Sequence, residues 1–114
     1  MDGFSFFESI FDFIKQNNIQ DGVVLTAAGS LEDCTVHGVG GKLRHFSQPT
    51  EIDGLNGIIA AGEPHLHVVL SNENGAVGGH LEKNCRVLSH VELTLARVSG
   101  PKLERKKSEL KLAQ

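Results

Sequence analysis

The sequence predicts an α+β domain in which a mostly antiparallel β-sheet packs with one N-terminal helix. Five of the six phenylalanines lie within the first thirteen residues, where apolar side chains recur at helical spacing. From Gly22 onward the period changes to the alternation typical of β-strands, and most of the 13 glycines fall between Gly22 and Gly79. A chain of 114 residues is long enough for one domain with a modest core.

The first element is predicted as a helix that begins after Ser5. Ser5 and Glu8 have the spacing of a capping box, in which the serine side chain accepts a hydrogen bond from the first turn. One apolar stripe of a helix follows, at Phe7, Ile10, Phe11 and Ile14, widened by Phe6 and Phe13. Asn17 and Asn18 end it, because short polar side chains compete for backbone hydrogen bonds.

Short β-strands are predicted next. Residues 23–28 form the first, which ends at a turn over Gly29 and Ser30. Residues 34–37 form the second, and a glycine-rich turn returns the chain as a hairpin partner over 42–46. After Pro49, the apolar run 57–61 indicates a buried strand.

The strongest β signal is a hairpin in the second half of the chain. Residues 65–70 and 76–82 flank Asn74-Gly75, the dipeptide preferred in a two-residue hairpin turn. A last strand over 87–98 alternates in polarity and ends at Gly100-Pro101.

These elements define one domain over residues 1–100, followed by a charged C-terminal tail over residues 101–114. The dense basic cluster at 105–107 lies in that tail between Glu104 and Glu109, and we interpret it as solvated. The net charge of −3 gives little support to a nucleic-acid binder, which usually has a basic domain or stripe.

The cellular compartment is predicted as cytoplasmic. The N-terminus has no basic region of a secretory signal, and no apolar run approaches the length of a membrane span. In a reducing compartment, Cys34 and Cys85 are both expected to be free thiols, although a pairing of the two is also compatible with the sequence.

Three histidines are candidate metal ligands. His65 and His67 are two apart on a predicted strand, so their side chains share one face. If Asn74 and Gly75 are the central turn residues, His80 lies opposite Val69, on that same face and one diagonal step from His67. Three imidazoles with an open fourth position suit Zn²⁺.

The alternative interpretation is that these are ordinary strand histidines, since pairs at this spacing are common, and a bulge at Gly78-Gly79 would turn His80 to the other face. The other histidines are weaker candidates. His37 and His45 flank the glycine-rich turn and could approach each other across the hairpin, but exposure is the preferred interpretation for both. His90 lies on the last strand, either as a residue that supports the site indirectly or as an edge residue. Glu51 and Glu63 are candidate general bases for metal-bound water, with solvation the simpler account of Glu63.

The histidines lie in motifs that resemble a known family. Residues 62–70 (GEPHLHVVL), followed by Asn74-Gly75 and residues 77–81 (VGGHL), closely resemble the signature of the PPC (plants and prokaryotes conserved) domain. The resemblance extends over roughly 3–98 and is much more specific than an isolated His-X-His.

The resemblance implies a compact antiparallel β-sheet packed with helix and assembled as a homotrimer. It also implies that His65, His67 and His80 are zinc ligands near subunit boundaries. In plants, similar domains follow AT-hook segments in nuclear DNA-binding proteins, and the hook contacts the DNA. This sequence lacks the Arg-Gly-Arg core of an AT-hook.

Three functions are therefore compatible with the sequence. The first is a metal-binding oligomeric module that associates with itself or with other proteins, in a binding or regulatory role. The alternative is a metal-dependent enzyme that uses a three-histidine zinc site on a small-molecule substrate. The third is DNA association, for which trimer formation would have to gather Lys42, Arg44, Lys83 and Arg86 into one basic patch.

Overall fold

The computed structural model describes residues 5–100 and 102–104. Its elements in chain order are α1 (Phe6–Gln16), β1 (Asp21–His37), a 3₁₀ turn (Val39–Gly41), β2 (Leu43–Phe46), β3 (Thr50–Ala60), β4 (Glu63–Asn72) and β5 (Gly75–Arg97). The predicted α+β class with one N-terminal helix is confirmed. The predicted charged tail over 101–114 lies outside the described residues apart from 102–104.

The helix α1 begins and ends where the sequence predicts. The hydroxyl oxygen of Ser5 accepts a hydrogen bond from the backbone N–H of Glu8 at 3.2 Å, which satisfies a donor that the first turn leaves without a partner. At the other end, Asn17 donates from its side chain to the carbonyl oxygen of Phe13. Phe6, Ile10 and Ile14 form the buried face of the helix. With 11 residues, this helix of the described chain is neither long nor apolar enough to cross a membrane.

The strands form a small closed barrel. All pairings are antiparallel, and their order is β1-β3-β4-β5, with β5 pairing again with β1 and β2 attached to the end of β1. Closure leaves no free edge around the barrel and encloses the core between the strands and α1, which packs mainly against β5. The largest fully buried side chains are Ile14, Leu31, Ile59, Leu66, Leu70, Val36 and Val68.

The long strand β1 replaces a predicted turn. Residues 23–28 do not end at Gly29, because the chain continues extended to His37 with register shifts along its pairing with β5. Gly29 serves close packing: a Cβ there would meet the carbonyl oxygen of His90 and lie 2.8 Å from the Cα of Val91. The bulges bend β1 so that it can pair with three other strands.

Two predicted strands near the C-terminus are also one strand. Residues 76–82 and 87–97 all belong to β5, whose first part pairs with β4 and whose remainder pairs with β1. The predicted hairpin between 34–37 and 42–46 is confirmed, with His37 opposite Leu43.

The expectation of two free thiols is wrong in this structure. Cys34 and Cys85 form a disulfide between β1 and β5, with their Cα atoms 3.9 Å apart. The two residues are directly opposite each other in the strand register, and both are buried. The two cysteines are 51 residues apart in sequence, and the pairing of β1 with β5 brings them together.

Removing this disulfide should destabilise the fold. Because the bond closes a long loop in the unfolded chain, we expect the double variant Cys34→Ala/Cys85→Ala to lose about 2–4 kcal/mol of unfolding free energy. Urea denaturation measured by circular dichroism checks this, and reduced wild-type protein should behave similarly. Two titratable thiols per chain in the unreduced, denatured protein would contradict the pairing.

A glycine on β3 is required for the approach of β4. A Cβ at Gly57 would meet the carbonyl oxygen of His65 and lie 2.9 Å from the Cα of Leu66, both backbone atoms that cannot rotate away. We expect Gly57→Ala to lower the unfolding free energy by roughly 1–3 kcal/mol, the usual cost of overpacking. Gly54→Ala is the matched control on the same strand, because nothing lies within 4 Å of its Cβ position. Equal stability of the two variants would contradict this packing.

Candidate metal centre

The β4–β5 hairpin carries the candidate ligands, and its turn lies one residue earlier than predicted. Asn72 pairs with Gly75, so Glu73 and Asn74 are the central residues. The side-chain oxygen of Asn72 accepts a hydrogen bond from the backbone N–H of Asn74 at 2.8 Å, which stabilises this turn. Pairing continues without a bulge through Gly78 and Gly79.

This register corrects the predicted place of His80. His80 is opposite His67 rather than opposite Val69, so the pairing differs from the prediction by two residues. A shift of two keeps every side chain on its face, whereas a shift of one would have turned His80 away. His80 is therefore nearer to His67 than predicted.

The three histidine side chains lie together on the outer surface of the barrel. The Nε2 atom of His65 is 3.0 Å from the Nδ1 atom of His80. The ring centroid of His67 lies 5.4 Å from that of His65 and 4.5 Å from that of His80. One nitrogen from each ring falls within 4.8 Å of the other two, and no carboxylate joins this group among the described residues. His65 and His80 are half-buried, and His67 is exposed.

This arrangement fits a metal ion. A tetrahedral zinc ion with nitrogen ligands at about 2.0–2.1 Å needs its ligand atoms roughly 3.3 Å apart. The nearest nitrogen atoms of His65 and His80 are 3.0 Å apart, and the three ligand nitrogens all lie within 4.8 Å of one another. Small side-chain rotations therefore suffice to reach the separation that zinc needs. Two rings come from adjacent same-face positions of one strand and the third from a directly paired strand, which holds all three on a rigid base. The three histidines could therefore hold a metal ion.

A fourth histidine lies beside this group. His37 is the partner of His80 across the β1–β5 pairing, and their ring centroids are 6.5 Å apart. The Nδ1 atom of His37 is 3.4 Å from a carboxylate oxygen of Glu82, which follows His80 by two residues on β5. His37 is half-buried, so the expectation of simple exposure misses this contact.

The remaining predicted candidates lie elsewhere. His45 is exposed and contacts Asp33 at 3.0 Å and the Thr35 hydroxyl at 2.7 Å, on another part of the surface. His90 is exposed and lies 3.9 Å from Glu92.

The two candidate bases are both exposed. Glu51 is opposite Ser71, four residues along β4 from His67, whereas Glu63 begins β4 two residues before His65. Neither belongs to the group of possible metal ligands.

Sequence reasoning did not find Glu82 and His37 as neighbours of the triad. The alternation of β5 places Glu82 on the face of His80, and that signal was readable from the sequence. The place of His37 depends on the pairing of β1 with β5, which connects residues 43 positions apart and leaves no local signal.

The chain matches a known domain family over most of its length. The model of the Plants and Prokaryotes Conserved (PCC) domain matches residues 1–99. The chain belongs to this family, which is the PPC family that the histidine motifs resemble.

One curated relative is the bifunctional protein GlmU of Synechococcus sp. (strain JA-3-3Ab). It is 33% identical over 87 residues, which are 74% of this chain and 14% of the relative. This PPC-domain chain therefore spans about one seventh of the length of that protein.

Solved structures share the fold. A PPC protein from Pyrococcus horikoshii superposes with a TM-score of 0.79 at 28% identity, covering 99% of this chain and 84% of the other. A metal-containing protein from Archaeoglobus fulgidus gives 0.82 at 20% identity, covering 100% and 86%. A protein from Bacteroides thetaiotaomicron, described as a candidate DNA-binding protein, gives 0.76 at 18% identity, covering 93% and 78%.

Proposed function

We propose that this PPC-domain protein is a zinc-binding homotrimer that serves as a binding or regulatory module. The observation that carries the proposal is the convergence of three imidazole nitrogens from His65, His67 and His80 within 4.8 Å on the barrel surface. Nitrogen-only ligand sets of this kind suit Zn²⁺ well. The metal-containing protein from A. fulgidus, which has the same fold, is consistent with it.

Assembly is proposed from the surface around the histidines. Ile58, opposite His65 on β3, is 46% exposed, and Val69, two residues after His67, is 44% exposed. Apolar side chains beside a surface metal site favour contact with another copy of the chain, which would bury them. A subunit boundary at this face agrees with the trimer that the family resemblance implies.

A module is favoured over an enzyme by two observations. In the described part of the chain, no carboxylate belongs to the group of possible ligands, and the nearby Glu82 carboxylate already contacts His37 at 3.4 Å, which makes it less available as a general base. A related sequence also occupies only 14% of a much longer bifunctional protein, as expected for an accessory domain. The alternative, a metal-dependent enzyme, would require a substrate at the open fourth position.

Elemental analysis of purified, tag-free protein tests the metal site. We expect about one zinc per chain in the wild type and almost none in His67→Ala or His80→Ala, because two nitrogen ligands hold zinc much less tightly than three. The matched controls are His45→Ala and His90→Ala, which remove exposed histidines outside the triad. His45 contacts Asp33, and His90 lies 3.9 Å from Glu92. Unchanged zinc in both triad variants would show that the assignment is wrong.

The mass in solution, measured by light scattering on the same samples, tests the assembly separately. We expect about 37 kDa, three times the 12.3 kDa of one chain. A wild-type protein that binds zinc as a monomer would retain the metal site and remove the trimer from the proposal.

DNA binding is the function that the family resemblance supports least for this chain. With a net charge of −3, we expect no retention on a duplex DNA column at low ionic strength, where phosphate contacts are strongest. Retention that falls steeply with added salt would contradict this expectation. Loss of that retention in Lys83→Ala and Arg44→Ala would then locate the contact surface.

A further inference from the structure

The surface beside the triad has a polar border on β5 and β1. His67, His80 and His37 are successive partners across β4, β5 and β1, so they form one row on the outer face of the barrel. Glu82 extends that border along β5, and its carboxylate oxygen lies 3.4 Å from the Nδ1 atom of His37. The opposite border lies on β3 and is mixed, with Ile58 across from His65 and the exposed Asn56 across from His67.

An ion bound by the three histidines would be open only toward the outside. The residues that alternate with the histidines, Leu66, Val68 and Leu81, point into the core and are at most 2% exposed. A ligand must therefore approach over the outer face, between the border on β5 and β1 and the border on β3. Glu82 is half-buried there, and its contact with His37 restricts the directions that its carboxylate can take.

We propose that Glu82, positioned by His37, selects ligands that carry a hydrogen-bond donor close to their metal-binding atom. This inference rests on the proposed metal site and assigns a ligand class to its open position: neutral molecules or side chains with an N–H group, such as an imidazole. A carboxylate oxygen accepts hydrogen bonds and does not donate them, so it favours donors. It also repels anionic ligands that would otherwise bind the metal.

The chain supplies a matched control for this border. Glu92 also lies on β5 and is also near a histidine, His90, at 3.9 Å, but their side chains are 83% and 73% exposed and lie away from the triad. Loss of Glu92 removes an equivalent surface charge without touching the proposed site. Any effect specific to Glu82 must then come from its place beside the triad.

The test uses full-length protein loaded with Co²⁺, whose visible absorption reports ligand binding without any assay of activity. Imidazole and 1-methylimidazole present the same kind of metal-binding nitrogen, but only imidazole carries an N–H. In the wild type and Glu92→Ala, we expect imidazole to bind about tenfold more tightly than 1-methylimidazole, the size of a hydrogen bond to a charged acceptor. In Glu82→Ala the two affinities should become equal, and His37→Ala should give an intermediate ratio.

The outcomes separate the two proposals. If the wild type takes up no Co²⁺, the metal site itself is wrong. If Co²⁺ binds and the imidazole preference persists in Glu82→Ala, or never exists in the wild type, the selection by Glu82 is wrong while the metal site stands. A Co²⁺ spectrum that responds to neither ligand also overturns the selection, because no position is then open to a ligand. Circular dichroism of each variant verifies that the fold is retained.

Discussion

The antiparallel pairing of β1 with β5 is the constraint on which the rest of the structure depends. It closes the barrel, because the same β1 residues that pair with β3 on one side pair with β5 on the other. It brings Cys34 to Cys85 and His37 to His80, two contacts between residues far apart in sequence. Without this pairing, the β4–β5 hairpin would still carry the three histidines and Glu82 but would lack His37 and its rigid support. The disulfide fastens the pairing near the end of β1 and the middle of β5.

Local patterns predicted the helix and the triad because both obey short-range rules. The cap at Ser5 and the apolar stripe of α1 lie within one stretch of chain. The triad prediction used a wrong turn, yet it placed the three side chains on one face because the error was two residues and the side-chain period of a strand is two. The face of the sheet on which His80 lies was therefore easier to predict than the residue opposite it. The residue opposite His80 depends on the position of the turn, which the Asn72 side chain stabilises at Glu73 and Asn74.

The errors have a common cause. Gly29 was interpreted as a turn residue, but it is the place where β5 approaches β1 too closely for a side chain. The two cysteines were interpreted as free thiols from the predicted reducing compartment, and their separation of 51 residues gave no sign of their contact. His37 was interpreted as exposed, and its distance in sequence from His80 likewise gave no sign of their pairing. Each of these three errors concerns β1 and β5, whose pairing depends on the closure of the whole barrel and has no local signature.

The position of the triad on the outside of the barrel has a consequence for function. A catalytic metal in an enclosed pocket works by excluding water, whereas these histidines lie on the outer face of the barrel, with Ile58 and Asn56 on one side and Glu82 on the other. Such a surface can become enclosed only when something covers it. In the proposed trimer, a neighbouring subunit would cover Ile58 and Val69 and leave the Glu82 side to determine which ligand enters. Assembly and ligand choice would then be two properties of one face, which suits a regulatory module better than an isolated catalyst.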